Sequence, residues 1–544
     1  RMAEPGRGAV AAGHPQEVVA ALDMLAAGGN AVDAAVAGAI CACVVEPNNA
    51  GLAGYGHLTA WLPDEQCFLT VDHGPRAPSA ATADLFRLEG GDPRSPFEWP
   101  QVADRASDHG ALATGVPGAV AGLCAAHARA GRLPFAQILQ PAIDTAEAGH
   151  AVEWYLSLVI LERLAEIRSQ PAAAAHLLDA GDPPAPGRRL DTAALADTLR
   201  RIAREGSAGF HGGPVAEAIA RDVAAAGGIL TAADIAAYTP RVVVERPTRY
   251  RGRLVSTAED DVGHLVFGLL AQFDLPALEP GSADALHLLA EVFGHAFADA
   301  LRWSGDPAAE PALSSALRSD VYAAARARTI ELGRAARRPV APGRPLADER
   351  PPGSGGSRGT TQVAVADGEG GMAVVITTIG QDFGGLVWVP EVGVLLNSAM
   401  SNFDPRPGRV NSVAPGRMPL FGVPATIVVE DGRAVLACGG SGGYRNLSSV
   451  VQATVNVLDH GLAAAEAVSA PRVWCQGEET FVDARIEAAV RDDLVRRGHE
   501  VVVEELTPAG EPFARVSLVT ADADGNLAAA SDPAWHGAAD AVTR

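Results

Sequence analysis

The chain changes texture once, and abruptly, between Gly359 and Thr360. From 115 to 340 its apolar residues recur mostly at helical spacing. Residues 334–359 then lose all hydrophobic period and fill with proline, glycine and arginine, which predicts an exposed, mobile segment. From "TTQVAVAD" onward the pattern alternates as strands do. The sequence therefore divides into a helix-rich part, 1–359, and a strand-rich part, 360–544, expected to pack as one unit. A flexible linker ending on Thr360 at the head of a rigid strand suits one chemistry. If the bond before Thr360 is cut, the new α-amino group, with a pKa of about 7.7–8.0, is a general base beside the hydroxyl it activates. The plainer reading is that threonine simply starts a strand, a position it favours.

Elsewhere the periodicities are clear. "HPQEVVAALDMLAAGGNAVDAAVAGAICACVVEP" predicts a helix with Val18, Val19, Leu22, Leu25 and Ala26 at helical spacing, stopped by Gly28-Gly29. A second helix begins at Asn30 and is apolar nearly all round, so it should be deeply buried. "HLTAWLPDEQCFLTVDH" predicts a hairpin about Pro63-Asp64, and "VERPTRYRGRLVST" a strand pair. Helices are expected at 117–130, 134–149, 191–205, 214–227, 283–302 and 446–460. Strands are expected in "MAVVITTI", "VGVLLNS" and "ATIVVEDGRAVLACGG", and at 480–483, 500–505 and 514–520.

Composition narrows the partners. A formal charge of −22 argues against nucleic acid or an anionic membrane surface. No apolar run reaches the roughly 18 residues of a membrane span, and "RMAEPGRGAV" lacks the basic and apolar regions of a secretory signal, so a cytoplasmic protein acting on a small molecule is expected. Cys41, Cys43, Cys67, Cys124, Cys438 and Cys475 are scattered without metal-ligand spacing, so reduced cysteines, no metal and no cofactor are expected.

Seven ordered blocks then carry a resemblance. "AAGHPQEVVAALDMLAAGGNAVDAAVAGAICACVVEPNNAGLAGYGHLTAW", "ATGVPGAVAGL", "GGILTAADIAAY", "SADALHLLAEVFGHAFADALRWSGDP", "VGVLLNSAMSNF", "CGGSGGYRN" and "AASDP" together resemble the γ-glutamyltranspeptidase family of N-terminal-nucleophile hydrolases. The resemblance implies an α+β fold, a four-layer αββα sandwich. It also implies a precursor that cuts itself between Gly359 and Thr360 into a large and a small fragment, paired once or twice over. Thr360 would be the nucleophile, Thr378 the second threonine that holds its hydroxyl, and the amides of Gly442 and Gly443 the oxyanion hole, where close approach of two N–H groups leaves no room for a Cβ.

The residues that in the family hold a γ-glutamyl group are replaced. Its carboxylate-binding Arg falls on Gly74 in "VDHGPRAP", its amine-binding Asp on Ser401, its Ser-Ser pair on Phe421-Gly422, and its Asn on Gly380. Each change removes a charge or hydrogen-bonding side chain, which abolishes most polar discrimination. Candidate substrate contacts are Arg76, His73, Gln381, Asp382, Ser401, Asn402, Phe421, Tyr444 and Arg445, with Arg76 the best partner for a substrate carboxylate. The expected function is hydrolysis next to a carbonyl in a small, carboxylate-bearing substrate, C–N or C–C, including the C–C cleavage of 4-alkylproline antibiotic pathways. A γ-glutamyl enzyme with a rebuilt pocket and a non-catalytic scaffold are the alternatives.

Overall fold

Strands rich in alanine, valine and other small or β-branched residues lie at the centre of the molecule. The computed structural model describes residues 8–90, 99–258, 260–346, 359–420, 424–443, 445–507, 512–534 and 536–541. Two sheets dominate. Their strands are β1 (Gly8–Ala12), β2 (Tyr55–Leu62), β3 (Cys67–His73), β4 (Arg241–Val244), β5 (Thr248–Tyr250), β6 (Arg253–Ser256), β7 (Thr361–Asp367), β8 (Met372–Thr378), β9 (Thr426–Glu430), β10 (Arg433–Ser441), β11 (Arg515–Ala521), β12 (Leu527–Ser531) and β13 (Ala538–Ala541). One sheet has the order β13-β1-β7-β8-β2-β3-β4 and the other β12-β11-β10-β9-β6-β5.

Side chains of β1 and β7 alternate between two layers, as the strand period of two requires. Val10, Ala12, Val363 and Val365 pack against helices, while Ala9, Ala11, Ala364 and Ala366 meet Val429, Ala437 and Val519 of the other sheet. Small side chains there let the two sheets approach closely. At Gly439 even a Cβ would stand 2.9 Å from Val374 Cγ1 and 3.1 Å from Gln362 Cβ. The helices α1 (Pro15–Ala26), α2 (Ala31–Val45) and α3 (Ala119–Ala130) cover the outer face of the first sheet. Three more, α4 (Asp261–Leu270), α5 (Ala283–Trp303) and α6 (Arg445–Leu458), cover the second. This is the four-layer αββα arrangement of an α+β protein.

The helices fall where their periods predict them. Helix α2 starts from a capping box between Asn30 and Asp33 and is buried along its whole length. In α1 only Val18 of the Val18-Val19 pair turns inward; Val19 is exposed. The "VGVLLNS" run makes only a two-residue strand, Val394–Leu395.

The linker departs from expectation where it is described. Residues 334–346 have no regular structure but lie pinned along α5: Arg338 pairs with Glu291 at 2.7 Å, the Gly343 amide donates to Asp299 at 2.6 Å, and Trp303 Nε1 donates to the Gly343 carbonyl at 2.8 Å. Beside them a buried chain runs from Thr480 through His499 and His287 to the Glu331 carbonyl. Buried carboxylates on α5 need cations and amides to satisfy them, and this segment supplies both. Residues 347–358 lie outside the described part.

The two sides of the 359/360 seam interleave. In the first sheet β7, β8 and β13 of the strand-rich part alternate with β1 and β2 of the helix-rich part. A break at the seam would leave every ladder hydrogen bond of β7 in place.

Candidate active site

β7 runs antiparallel to β8 with Thr361 opposite Thr377, so one step along the register Thr360 faces Thr378. The Thr378 hydroxyl donates to the Gly359 carbonyl, the carbonyl of the bond that precedes Thr360, and accepts from the Gly380 amide at 2.9 Å. Gly359 has φ +87, and a Cβ on it would stand 3.0–3.1 Å from backbone atoms of residues 380–382. Only glycine fits that turn without strain.

The other sheet holds the next carbonyl. Ser441 and Arg515 are directly paired across β10 and β11, and the Ser441 hydroxyl donates to the Thr360 carbonyl. Arg515 Nη2 donates to Ser441 Oγ at 3.0 Å and to the Thr360 carbonyl at 3.4 Å. Both side chains are buried. Thr360 is thus fixed from two sides, its preceding carbonyl by the first sheet and its own by the second.

After Ser441 the chain turns through Gly442 (φ +144) and Gly443 (φ +64) into the N-terminus of α6. A Cβ at 442 would come within 2.8 Å of Ala514 Cα, so that position too requires glycine. Helix N-termini carry a partial positive charge from unpaired amides, which favours a developing anion nearby.

A polar wall completes the site. Tyr55 pairs with Thr378 across β2 and β8, and Asn402 Nδ2 donates to its hydroxyl at 3.0 Å. The Gln381 amide donates to Ser398 Oγ at 2.8 Å. Ser401 is buried and spends its hydroxyl on the Ser398 carbonyl at 2.7 Å, which turns it away from a substrate role. Gly380 has φ +94, and a Cβ there would stand 2.5 Å from Ser398 Oγ, so its lost side chain leaves no vacant space.

The remaining candidates spread out. Arg445 opens α6 and its Nε donates to the Gly442 carbonyl at 3.2 Å. Arg76 lies against the Gly416–Met418 turn, with Nη1 3.4 Å from the Gly416 carbonyl and 4.0 Å from Asp306. His73 corrects the expectation that it faces substrate. It is fully buried two strands away from Thr378's own strand, with its ring pressed against Gly122 of α3 and Nδ1 3.2 Å from the Val71 carbonyl. Burial, aided by the neighbouring His57, lowers its pKa to about 4, so it is a neutral packing residue at ordinary pH. Gln381 and Asp382 are half-buried beside Gly359. Phe421, Gly422 and Tyr444 lie outside the described residues.

A family model described as gamma-glutamyltranspeptidase matches residues 18–542. The chain belongs to the γ-glutamyltranspeptidase family. Within that family it is 36% identical over 537 residues to the acylase ACY 1 proenzyme of Pseudomonas sp. (strain V22), covering 96% of this chain and 92% of that one. It is 32% identical over 540 residues to the glutathione hydrolase proenzyme of Escherichia coli (strain K12), covering 94% and 88%. The solved structure of cephalosporin acylase from Bacillus halodurans superposes with a TM-score of 0.88 at 26% identity, over 100% of this chain and 97% of that one. Membership makes this γ-glutamyltranspeptidase relative an N-terminal-nucleophile hydrolase, and both curated relatives named above are proenzymes. Among its described residues no helix is long and apolar enough to cross a membrane.

Sequence reading missed Ser441, Arg515, Tyr55 and Ser398. Arg515 left one faint signal: a charged residue opening the otherwise apolar alternation of "RVSLVTA".

Proposed function

We propose that the protein cuts itself between Gly359 and Thr360 and then uses Thr360 as the nucleophile of an acylase, hydrolysing a C–N amide bond in a small, carboxylate-bearing substrate. The observation that carries this reading is the Thr378 hydroxyl seated on the Gly359 carbonyl with Thr360 across from it. In the self-cleavage step Thr360 Oγ1 attacks the Gly359 carbonyl carbon, its proton passes to the departing nitrogen, and an ester replaces the amide. Water then hydrolyses the ester, leaving a Gly359 carboxyl and a free Thr360 with both hydroxyl and α-amine. Thr378 stabilises the oxyanion of that first step from the position it already holds.

In turnover the amine takes the Thr360 hydroxyl proton as the oxygen attacks a substrate carbonyl, and returns it to the leaving amine. Gly442 and Gly443 supply the oxyanion donors. Arg445, next to them, and Arg76 are the cations for a substrate carboxylate, with Gln381 at the rim and Phe421 and Tyr444 proposed as further contacts. The replaced Gly74, Ser401, Phe421-Gly422 and Gly380 argue against a plain γ-glutamyl substrate, and the acylase relative favours the amide bond. C–C cleavage beside an activated ketone would pass through the same oxyanion, but no residue of the site favours it.

Intact-mass analysis of purified protein beside Thr360→Ala tests the reading. Two fragments meeting at Gly359/Thr360 in the wild type and one uncut chain in the variant are expected. An uncut wild type overturns it and brings forward a scaffold. Hydrolysis of a γ-glutamyl anilide in preference to glutaryl or other monocarboxylate amides would instead mean a rebuilt γ-glutamyl pocket.

A further inference from the structure

Behind the nucleophile lies a pair of buried acids that the chemistry above does not use. Glu17, on α1, and Glu46, the residue that ends α2, are both closed off from solvent and close enough for each carboxyl to influence the other's ionisation. Two adjacent carboxylates in such a place cannot both be charged, so the pair holds a proton. Its location follows from the partners. Glu46 Oε1 receives Asn49 Nδ2 at 3.1 Å and faces His536 Nε2 at 3.3 Å and Arg515 Nη1 at 3.8 Å. Glu17 has no ion-pair partner among the described residues, and neither of its carboxyl oxygens receives a hydrogen bond from them. Glu46, with the cationic and donor partners, is the better place for the charge, and Glu17 the better place for the proton.

Glu46 in turn orients Arg515, whose other nitrogen grips Ser441 Oγ and the Thr360 carbonyl. Gly13 shows how closely the device approaches the nucleophile's strand. A Cβ on it would stand 2.4 Å from Thr361 Oγ1 and 2.9 Å from Glu46 Oε2, so a bare backbone is needed for the acids to lie against β7.

We propose that the Glu17–Glu46 pair is a positioning device for Thr360, acting through Arg515 and Ser441. It rests on the self-cleaving reading and deepens it. Thr360's attack angle depends on where its own carbonyl is held, and an error of a fraction of an ångström there lowers the rate steeply. Were Glu17 to ionise, its charge would compete for Arg515 and draw the guanidinium off the Thr360 carbonyl. The charged and titratable groups facing the pair are Cys41 and Cys43 on α2, His14 ahead of α1 with its partner Glu153, His150, and Arg515 and His536. Burial, then the Glu46 charge, pushes Glu17 well above the carboxylate range. Burial alone would raise Glu46 as well, but the His536 hydrogen bond and the Arg515 charge outweigh it and hold Glu46 well below. Burial also pushes Cys43 up to about 12, so the thiols stay neutral.

Self-cleavage reads this out without a substrate. Precursor dissolved in denaturant is diluted to refold and followed by intact mass from about pH 6 to about pH 10. Glu17→Gln, which keeps the side chain neutral and removes the titration, should cleave within about threefold of wild type. It should also keep its rate at alkaline pH where wild type falls off. Glu46→Gln and Arg515→Ala should slow cleavage by about 10²-fold, with Arg515→Lys recovering part of the loss. Thermal melting of each variant in the uncuttable Thr360→Ala background checks that it folds. A folded Glu46→Gln that cleaves at the wild-type rate overturns the proposal, as does a folded Glu17→Gln as slow as Glu46→Gln. A wild type that never cleaves overturns the parent reading and this one with it.

Discussion

Thr378→Val isolates the step on which the mechanism turns. Valine matches threonine in shape, so β8 and its ladder to β7 and β2 stay intact, but the variant removes the hydroxyl that donates to the Gly359 carbonyl. Loss of a single oxyanion donor in an enclosed site slows acyl transfer by about 10²–10³-fold, equivalent to about 2.7–4 kcal/mol of transition-state stabilisation. The same hydroxyl also accepts from the Gly380 amide at 2.9 Å, so the variant leaves a buried N–H unpaired, at a cost of about 1–3 kcal/mol to the folded state. The two effects separate experimentally. Intact mass against time after refolding reports the rate, and melting in the Thr360→Ala background reports the stability. Thr378→Ser restores donor and acceptor together and should return cleavage to within about tenfold of wild type, the residue being the freer rotation of serine. Cleavage of Thr378→Val within about threefold of wild type would refute the role assigned to the hydroxyl, since among the described residues no other side chain donates to that carbonyl.

Two further outcomes follow from the packing around the site. Gly380→Asn, which restores the side chain usual in the family, should melt lower and gain no γ-glutamyl hydrolysis, because its Cβ would fall 2.5 Å from Ser398 Oγ at φ +94. Pairing it with Ser398→Gly should recover much of the lost stability, and a single variant that melts like wild type would show that the turn yields. Acid should destabilise the protein through its buried neutral histidines. His73 and His150 are lowered by burial to about 4, so below the unfolded value near 6.5 the unfolded chain takes up protons first. Stability is therefore lost as pH falls from about 6.5 to about 4, on the order of 3 kcal/mol for each histidine at the acid end. A melting temperature unchanged between about pH 7 and about pH 4.5 would contradict this.

What was legible in the sequence followed from local period and from motif. The helices and the β2–β3 and β9–β10 hairpins announce themselves because their burial pattern is written in consecutive residues. β1, β12 and β13 do not, since "GAVAA", "LAAAS" and "AADA" have no apolar contrast and alanine favours helix. Only the partner strands and the facing sheet make extended alanine the better choice, and neither is visible locally. The site divides the same way. Thr360, Thr378 and the Gly442-Gly443 turn stand in recognisable stretches, whereas Ser441 and Arg515 reach the Thr360 carbonyl from the opposite sheet, 81 and 155 residues further along the chain.

That division bears on how a chain can cut itself and keep its site. Thr378, Ser441 and Arg515, the side chains that grip the two carbonyls around the seam, all lie on the same side of the cut as Thr360. Cleavage at the proposed seam would therefore remove none of them from the new N-terminus. The acids behind them, Glu17 and Glu46, lie on the other side of the seam, and Glu46 reaches the Thr360 carbonyl through Arg515. They remain in place because β7 stays hydrogen-bonded between β1 and β8, one strand from each side of the cut. In the proposed reading the interleaved sheet would let the Gly359–Thr360 bond break and free an amine beside the hydroxyl it is to activate, while the strand that aligns that hydroxyl stays paired on both sides.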